Sequence, residues 1–405
     1  MINKNALPRL RIPALAALLL AVCLLLGACG RAGDVARLAL GEALSQTDVR
    51  ELTPEERQSA LRVTGEPLAG WYIDRLGGQD YDIFHAMYQA AAQSRESVQL
   101  DGAPYEAMLR ALTALRYDCP ELMHFTGDVD YTYDVDSANE EYVYELRFDY
   151  LYSAEEYAAK LAQVTALLEQ WKARVASMSE LDAERFLYQA VMDRCEYAEG
   201  PYDSDVYGTL ILGEAVCMGY AYALSLALRY CAGMECIYVG GEAYDPYEEK
   251  TEPHAWNIVK VNGVYCAVDA TWDDMEQEES WLPGYFNLSD AYMLRNRSYD
   301  AEYEDFAMPP ACETMRYEAY TTAGRFISSR ENPRDGLFAM LNAMKIANRG
   351  AVAYRLATLS QFEQTKSSLE NWFDDWCQEN APDVTYYSTI LDEDCLIVWV
   401  GAFES

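Results

Sequence analysis

The stretch Gly213-Glu214-Ala215-Val216-Cys217-Met218-Gly219-Tyr220-Ala221 decides how the rest of this chain is interpreted. It places a cysteine between small residues, directly before an apolar run of helical period. The period predicts that Cys217 lies in the first turn of a helix. Unpaired backbone N–H groups and the positive end of the helix dipole favour a thiolate there. The alternative is a buried cysteine that serves only as a small apolar residue, which is common for free cysteines.

A β-hairpin is predicted further along the chain. His254 to Val261 and Val264 to Trp272 have the composition of strands. Asn262-Gly263 between them is the strongest short signal for a two-residue hairpin turn. The turn predicts the register of the two strands, because it pairs the residues on either side of it.

The predicted register brings an imidazole and a carboxylate together. His254 and Asp269 fall on one face as diagonal neighbours, about 7–8 Å apart or less, within reach of a hydrogen bond. The opposite face is almost wholly apolar, and we expect it to pack on the helix that begins at Cys217. A thiol, an imidazole and a carboxylate are what a cysteine nucleophile needs, since the imidazole takes the thiol proton and the carboxylate orients it.

Three blocks of sequence carry a resemblance to a known family: Gly213–Ala221, His254–Asn257 and Val268–Asp274. In this order and spacing they resemble the transglutaminase-like superfamily, in particular its bacterial extracytoplasmic members. The resemblance covers roughly Leu181 to Asp300, which is under a third of the chain.

The resemblance implies a papain-like core in which a nucleophile helix packs on an antiparallel sheet. It implies that Cys217 is the nucleophile, His254 the base and Asp269 the orienting acid. Tyr207, ten residues before the cysteine, also fits the family pattern. Tyr207 and Trp256 are therefore candidates for aromatic support of the site, Tyr207 at an oxyanion hole.

The composition excludes several classes of function. The chain has 405 residues and a net charge of −35, so nucleic acid and anionic membrane surfaces repel it, and we expect neither as a binding partner. It has only three histidines and no Cys-x-x-Cys pair. We therefore predict no zinc site and no cofactor, and we expect His85 and His124 to be packing or surface residues.

The N-terminus has the pattern of a secretory signal. Basic residues precede the apolar run Ile12–Leu26, which is too short for a comfortable membrane span. Leu26-Gly27-Ala28-Cys29 resembles the bacterial lipobox, which implies cleavage before Cys29 and a lipid on its sulfur. We expect a lipid-anchored protein on the outer leaflet of a bacterial cell membrane. An ordinary signal peptide with an incidental cysteine is the alternative.

We predict an α+β protein with a transglutaminase-like core between two further domains. The predicted segments are a lipoprotein signal peptide (1–28), a spacer (29–70), an N-terminal α+β domain (71–178), the transglutaminase-like domain (179–310) and a C-terminal α/β domain (311–405). Two local predictions are a short strand at Pro120–Phe125 and a long acidic loop at Glu242–Pro253.

Two classes of function follow from these observations. The first is a thiol enzyme that acts on amide bonds of peptides or proteins through a thioester at Cys217. Whether water or an amine resolves the thioester stays open, so a protease, a deamidase and a crosslinking enzyme are all compatible. The second is a catalytically inactive binding module for peptide or glycan at the cell surface.

Overall fold

A computed structural model describes residues 66–245, 249–275, 282–300, 306–346, 350–381 and 384–404. These residues form one compact unit of α+β structure. The predicted fold class is therefore confirmed, whereas the boundaries between the predicted domains stay predictions. The signal segment and Cys29 lie outside the described residues.

The described strands are β1 (Ser97–Pro104), β2 (Phe125–Val135), β3 (Glu141–Tyr150), β4 (Glu196–Tyr197), β5 (Glu214–Ala215), β6 (Cys236–Asp245), β7 (Lys250–Val261), β8 (Val264–Val268), β9 (Arg297–Tyr299), β10 (Phe326–Ile327), β11 (Ala351–Leu356), β12 (Val384–Asp392) and β13 (Ile397–Glu404). A first sheet has the order β1-β3-β2, and the central sheet has the order β8-β7-β6-β9. Near the C-terminus the order is β10-β11-β13-β12, and β4 pairs with β5 in a short parallel ribbon.

The described α-helices are α1 (Gly78–Ala92), α2 (Tyr105–Asp118), α3 (Ala154–Val175), α4 (Glu180–Met192), α5 (Cys217–Ala227), α6 (Ala270–Met275), α7 (Asp290–Met293), α8 (Ala319–Thr322), α9 (Pro333–Ile346) and α10 (Leu359–Asn380). A 3₁₀ turn covers Ile73–Arg75, and π-helical turns cover Gly208–Leu212 and Leu228–Ala232. Within the described residues, no helix has both the length and the apolar character that a membrane crossing requires.

The predicted hairpin is present as β7 and β8. Val261 pairs with Val264 and Asn257 with Val268, which is the predicted register. Asn262 and Gly263 both have positive φ, 47° and 83°, as a two-residue turn of this kind demands.

The predicted return strand is too long, because β8 ends at Val268 rather than Trp272. Asp269 is the reason. Its Oδ1 accepts a hydrogen bond from the backbone N–H of Trp272 at 3.2 Å, which is the contact of a helix N-cap. The chain therefore turns into α6 at Ala270.

The predicted acidic loop at Glu242–Pro253 is wrong. The ladder of β6 and β7 continues through this segment, with Glu242 paired with Pro253 and Asp245 paired with Lys250. Directly opposed charges such as Asp245 and Lys250 stabilise an antiparallel pair, and β9 adds a further strand beside Ala243. The acidic side chains therefore belong to a hairpin.

The predicted strand at Pro120–Phe125 is also wrong. The segment consists of consecutive turns, in which Leu122 N–H donates to the Cys119 carbonyl and Phe125 N–H to the Leu122 carbonyl. The hairpin of β2 and β3 that follows is present as predicted. So is the capping box at the start of α3, in which Ser153 and Glu156 each cap the other's backbone N–H.

Helix α5 packs on the central sheet, on the face opposite to His254. Ala221 of α5 lies in one apolar cluster with Tyr238 and Ala255 of the sheet. Asn257 is a polar side chain on this face, and it is buried. Its amide donates to the Ala221 carbonyl at 3.0 Å, which satisfies the amide and ties the helix to the strand.

Candidate active site

Cys217 is the first residue of α5, as the apolar period predicts. The N-cap residue, Val216, has extended backbone and no side-chain hydrogen bond to the first turn. The Val216 N–H donates to the Asp203 carbonyl at 3.0 Å, and Gly219 lies so close to that carbonyl that a Cβ would come within 2.2 Å of its oxygen. The small residues around Cys217 therefore let a neighbouring loop pack tightly against the start of the helix.

Cys217 is also more accessible than most of the other described cysteines. Among the nine described cysteines, all of which are free thiols, only Cys217 and Cys377 are partly exposed. The others are buried, where a thiol acts as a small apolar group. Partial exposure at a helix N-terminus is the setting in which a thiol can react.

His254 lies between the thiol and the carboxylate. Its Nε2 lies 2.7 Å from Oδ2 of Asp269, and the two side chains are 8% and 0% exposed. The Cys217 thiol also interacts with the ring and raises the pKa of His254. Because Nε2 is occupied by Asp269, Nδ1 is the ring nitrogen left for the sulfur. The structure thus brings the three predicted residues together.

Two tryptophans surround the imidazole. The Trp256 ring stacks on His254 with centroids 6.2 Å apart, and Trp256 in turn stacks on Tyr299 at 5.7 Å. The Trp272 ring lies 5.6 Å from the His254 ring. Trp256 is fully buried, and the aromatic support predicted for it stays a prediction. The rings limit the orientations open to the imidazole.

A buried arginine, Arg297 of β9, completes the cluster. Its Nη2 donates to Oδ2 of Asp269 at 2.6 Å, the same oxygen that His254 contacts, and neither the arginine nor the aspartate side chain is exposed. No sequence pattern predicts a role for this residue. Arg297 lies in a strand of three residues and 28 positions from Asp269, so no local pattern connects the two.

The charges in this cluster shift the pKa values of its members. Burial alone would raise the pKa of Asp269, but the positive charges of His254 and Arg297 and their hydrogen bonds outweigh it and lower the pKa to about 2. Burial alone would lower the pKa of His254, but the Asp269 carboxylate outweighs it and raises the pKa to about 9. Arg297 acts on His254 in the opposite direction and lowers its pKa. At neutral pH the cluster therefore holds a carboxylate and an imidazolium.

The side chain of Tyr207 points toward α3. Lys160 of α3 lies 4.0 Å from the Tyr207 ring centroid, and the Tyr202 ring packs edge-on against it. Burial raises the pKa of the Tyr207 hydroxyl, and Gln163 of α3 acts in the opposite direction. These contacts do not involve the thiol, so the predicted oxyanion role of Tyr207 stays a prediction.

The two acids that follow the hairpin serve the structure of α6. Asp273 accepts a hydrogen bond from the Tyr188 hydroxyl at 2.6 Å and another from the Tyr285 N–H at 2.9 Å. Asp274 accepts one from the Tyr220 hydroxyl. Among the described residues, no group of three or more histidine, cysteine or acidic side chains has the geometry of a metal site.

Comparison with known protein families finds a match over the part of the chain that contains this site. Residues 140–270 match the family model of the transglutaminase-like superfamily, and Cys217, His254 and Asp269 all lie in this region. Over this region the chain is similar to the transglutaminase-like superfamily. No curated protein sequence matches the chain.

Two solved structures are similar to parts of the chain. One is described as a TGase, with 15% sequence identity and a TM-score of 0.26, over 42% of this chain and 49% of that chain. The other is a "putative cysteine protease" from Cytophaga hutchinsonii, with 12% identity and a TM-score of 0.23, over 36% of this chain and 63% of that chain. The chain thus spans about half the length of the first.

Proposed function

We propose that this protein is a lipid-anchored extracytoplasmic thiol enzyme that acts on amide bonds of peptides or proteins. Cys217 is the nucleophile, His254 the acid and base, and Asp269 the group that orients His254. One observation carries the proposal: Nε2 of the imidazole lies 2.7 Å from the Asp269 carboxylate, and the same ring interacts with the Cys217 thiol. This is the geometry of a nucleophile, a base and an orienting acid.

The first half of the reaction forms a thioester. The Cys217 sulfur attacks the amide carbonyl carbon, and the negative charge moves to the carbonyl oxygen. Backbone N–H groups in the first turn of α5, including that of Cys217, are suited to hold this oxygen, and the loss of one such donor typically costs about 2.7–4 kcal/mol. The His254 imidazolium then gives its proton to the leaving nitrogen as the C–N bond breaks.

The second half releases the acyl group. Water or an amine attacks the thioester carbon, His254 takes the proton of that nucleophile, and the C–S bond breaks to restore the thiolate. Water gives hydrolysis or deamidation, and an amine gives a crosslink. Both outcomes share the same three residues, so the proposal covers the class of reaction and leaves the second nucleophile open.

The location of the enzyme rests on the N-terminal sequence. A lipid on Cys29 would hold the folded part at the outer leaflet, where extracytoplasmic peptides and surface proteins are the accessible substrates. Growth with a clickable fatty acid tests this part of the proposal. The wild-type protein should carry the label and Cys29→Ser should not, and label in both proteins would refute the anchor.

Alkylation by iodoacetamide across a pH series tests the catalytic part. We expect Cys217 to be modified at pH 6 at least about 10-fold faster than Cys377, the other partly exposed described cysteine, because an adjacent imidazolium stabilises the thiolate. Peptide mass spectrometry after digestion reports each site separately. His254→Ala should bring Cys217 down to the rate of Cys377, and His124→Ala, which changes a remote buried histidine, should not.

The opposite outcome has a clear meaning. If Cys217 reacts equally in wild-type and His254→Ala protein, the imidazole does not activate the thiol. The inactive binding module for peptide or glycan would then be the better description of this chain.

A further inference from the structure

The orienting acid of this site has two cationic partners rather than one. Oδ2 of Asp269 contacts both Nε2 of His254, at 2.7 Å, and Nη2 of Arg297, at 2.6 Å. Oδ1 accepts the backbone N–H of Trp272 at 3.2 Å. Every side chain of the trio is at least nine-tenths buried, so water does not screen these contacts.

The guanidinium of Arg297 is itself firmly held. It lies over the Trp272 ring at 3.9 Å and over the Tyr285 ring at 4.6 Å, and Nη1 donates to Oδ1 of Asn296 at 2.6 Å. The backbone of Arg297 pairs with Ala243 of β6 in the central sheet. A planar cation between two rings keeps a fixed direction toward the carboxylate, which a flexible ammonium would not.

We propose that Arg297 is the positioning residue of this site, which holds the Asp269 carboxylate ionised and directed at His254 throughout the reaction. The inference rests on the proposed thiol chemistry and deepens it. Arg297 acts through Asp269, and no contact of its side chain with the sulfur is required. The residue lies beyond residue 270, where the family match ends.

The need for a permanent cation follows from the reaction itself. His254 alternates between imidazolium and imidazole as it gives and takes protons. While it is neutral, a buried Asp269 with no other cationic partner would face the full cost of desolvation and would tend to take up a proton. Arginine stays charged at all relevant pH values. Arg297 therefore keeps the Asp269 carboxylate ionised whether His254 is charged or neutral.

Arg297 also limits how basic His254 becomes. The carboxylate raises the pKa of His254 and the guanidinium lowers it. An imidazolium that is stabilised too strongly is a poor proton donor to a leaving group. Arg297 therefore keeps His254 closer to the pH range in which it can exchange protons.

Other titratable groups face this cluster and remain unchanged in the test below. Cys217 reaches His254 from α5, and Asp273 of α6 and Tyr188 of α4 interact electrostatically with Asp269. On its other side Arg297 faces Tyr285, Cys395 and Asp394.

The test is a ¹⁵N-histidine NMR titration of the full chain, in which only three histidines contribute signals. Arg297→Gln removes the charge and keeps a hydrogen-bond donor, and Arg297→Lys keeps the charge. We expect the His254 midpoint to move up by about one pH unit in Arg297→Gln and by less than about 0.3 in Arg297→Lys. The His124 signal serves as the control for the fold, because that ring is fully buried.

An unchanged or lower His254 midpoint in Arg297→Gln would overturn the proposal. If that variant does not fold, Tyr285→Leu replaces it, because it removes one of the two rings that hold the guanidinium and keeps the ion pair. The midpoint should then move in the same direction by a smaller amount, and no movement there would equally overturn the proposal.

The outcome separates this inference from the proposed function. Suppose that the His254 midpoint rises in Arg297→Gln but that Cys217 of the wild-type protein alkylates no faster than Cys377. The proposed enzymatic function would then be refuted, and Arg297 would still be the group that limits the pKa of His254. A reactive Cys217 with an unchanged midpoint would refute only the role of Arg297.

Discussion

The protein contains two buried histidines in contrasting surroundings. His254 lies in the central sheet beside Asp269, and its pKa is raised to about 9. His124 lies in the turns before β2, and burial lowers its pKa to about 4. The His124 ring is stacked between Tyr157 and Tyr150, with centroid distances of 3.6 and 4.7 Å, and its Nε2 lies 3.0 Å from the Ser94 hydroxyl.

The comparison shows that burial by itself lowers the pKa of an imidazole and so favours its neutral form. Both rings lose solvent, which disfavours the imidazolium in both places. Only His254 has a carboxylate within hydrogen-bonding distance, and that carboxylate is the main cause of its raised pKa. The pKa of His254 is raised because of its carboxylate partner, whereas burial without a carboxylate lowers the pKa of His124.

The cysteines follow the same contrast. Cys119, close to His124 in the chain, is buried, and burial raises its pKa far above the ordinary value. Cys217 is half-buried at a helix N-terminus and interacts with the imidazole of His254. We infer that the first thiol is a packing residue and the second a candidate nucleophile.

The largest effect is expected from Asp269→Asn, which should make His254 behave like His124. Burial and the Arg297 charge would both lower the pKa of His254, and no carboxylate would oppose them. We expect the His254 midpoint to fall from about 9 to below its ordinary value of about 6.5, as followed by ¹⁵N-histidine NMR.

Asp273→Asn is the matched control for this change. Asp273 is a buried carboxyl four residues further on that bonds Tyr188 rather than His254. The His254 midpoint should stay near 9 in that variant. If the His254 midpoint also stays near 9 in Asp269→Asn, the carboxylate does not set the charge of His254, and the contrast drawn with His124 is wrong.

A smaller effect, on stability, is expected from His124→Phe. The pKa of His124 is about 4 in the folded chain and about 6.5 when unfolded, so the neutral ring contributes stability above pH 6.5 that is lost as the pH falls toward 4. Phenylalanine binds no proton. The loss of unfolding free energy between pH 7 and pH 5 should therefore shrink by about 2 kcal/mol, as measured by urea denaturation.

His85→Phe provides the control for acid stability, because its ring lies at the surface beside Glu66. It should leave the loss between pH 7 and pH 5 almost unchanged. If His124→Phe loses as much unfolding free energy between pH 7 and pH 5 as the wild-type protein, His124 is not the acid-sensitive group.

The smallest effect is expected from Tyr157→Phe, which tests what holds His124 neutral. The Tyr157 hydroxyl donates to the Glu121 carbonyl at 3.1 Å, and its removal should cost about 1 kcal/mol of unfolding free energy. The ring and its stacking remain, so the His124 midpoint should stay near 4. Tyr150→Phe, whose hydroxyl donates to the Arg95 carbonyl at an exposed position, should cost less.

The NMR titration decides between ring and hydroxyl. A clear rise of the His124 midpoint in Tyr157→Phe would assign the effect to the hydroxyl and would weaken the role given to burial. An unchanged His124 midpoint, with the expected loss of unfolding free energy, would show that burial of the ring lowers the pKa of His124 without a contribution from the Tyr157 hydroxyl.

The sequence alone predicts the three residues of the candidate site and the register of the hairpin that contains His254 and ends directly before Asp269. Helical period located Cys217, and a two-residue Asn-Gly turn set the pairing that places His254 beside Asp269. These are local relations, in which spacing along the chain decides geometry.

The end of β8 and the cation that contacts Asp269 both depend on tertiary contacts. Asp269 caps α6, and β8 therefore ends at Val268. Strand propensity alone does not predict this end, because the residues that follow also have the composition of a strand. Arg297 reaches Asp269 because β9 pairs with the far edge of β6. Such a contact depends on long-range strand pairing, and therefore no pattern of neighbouring residues encodes it.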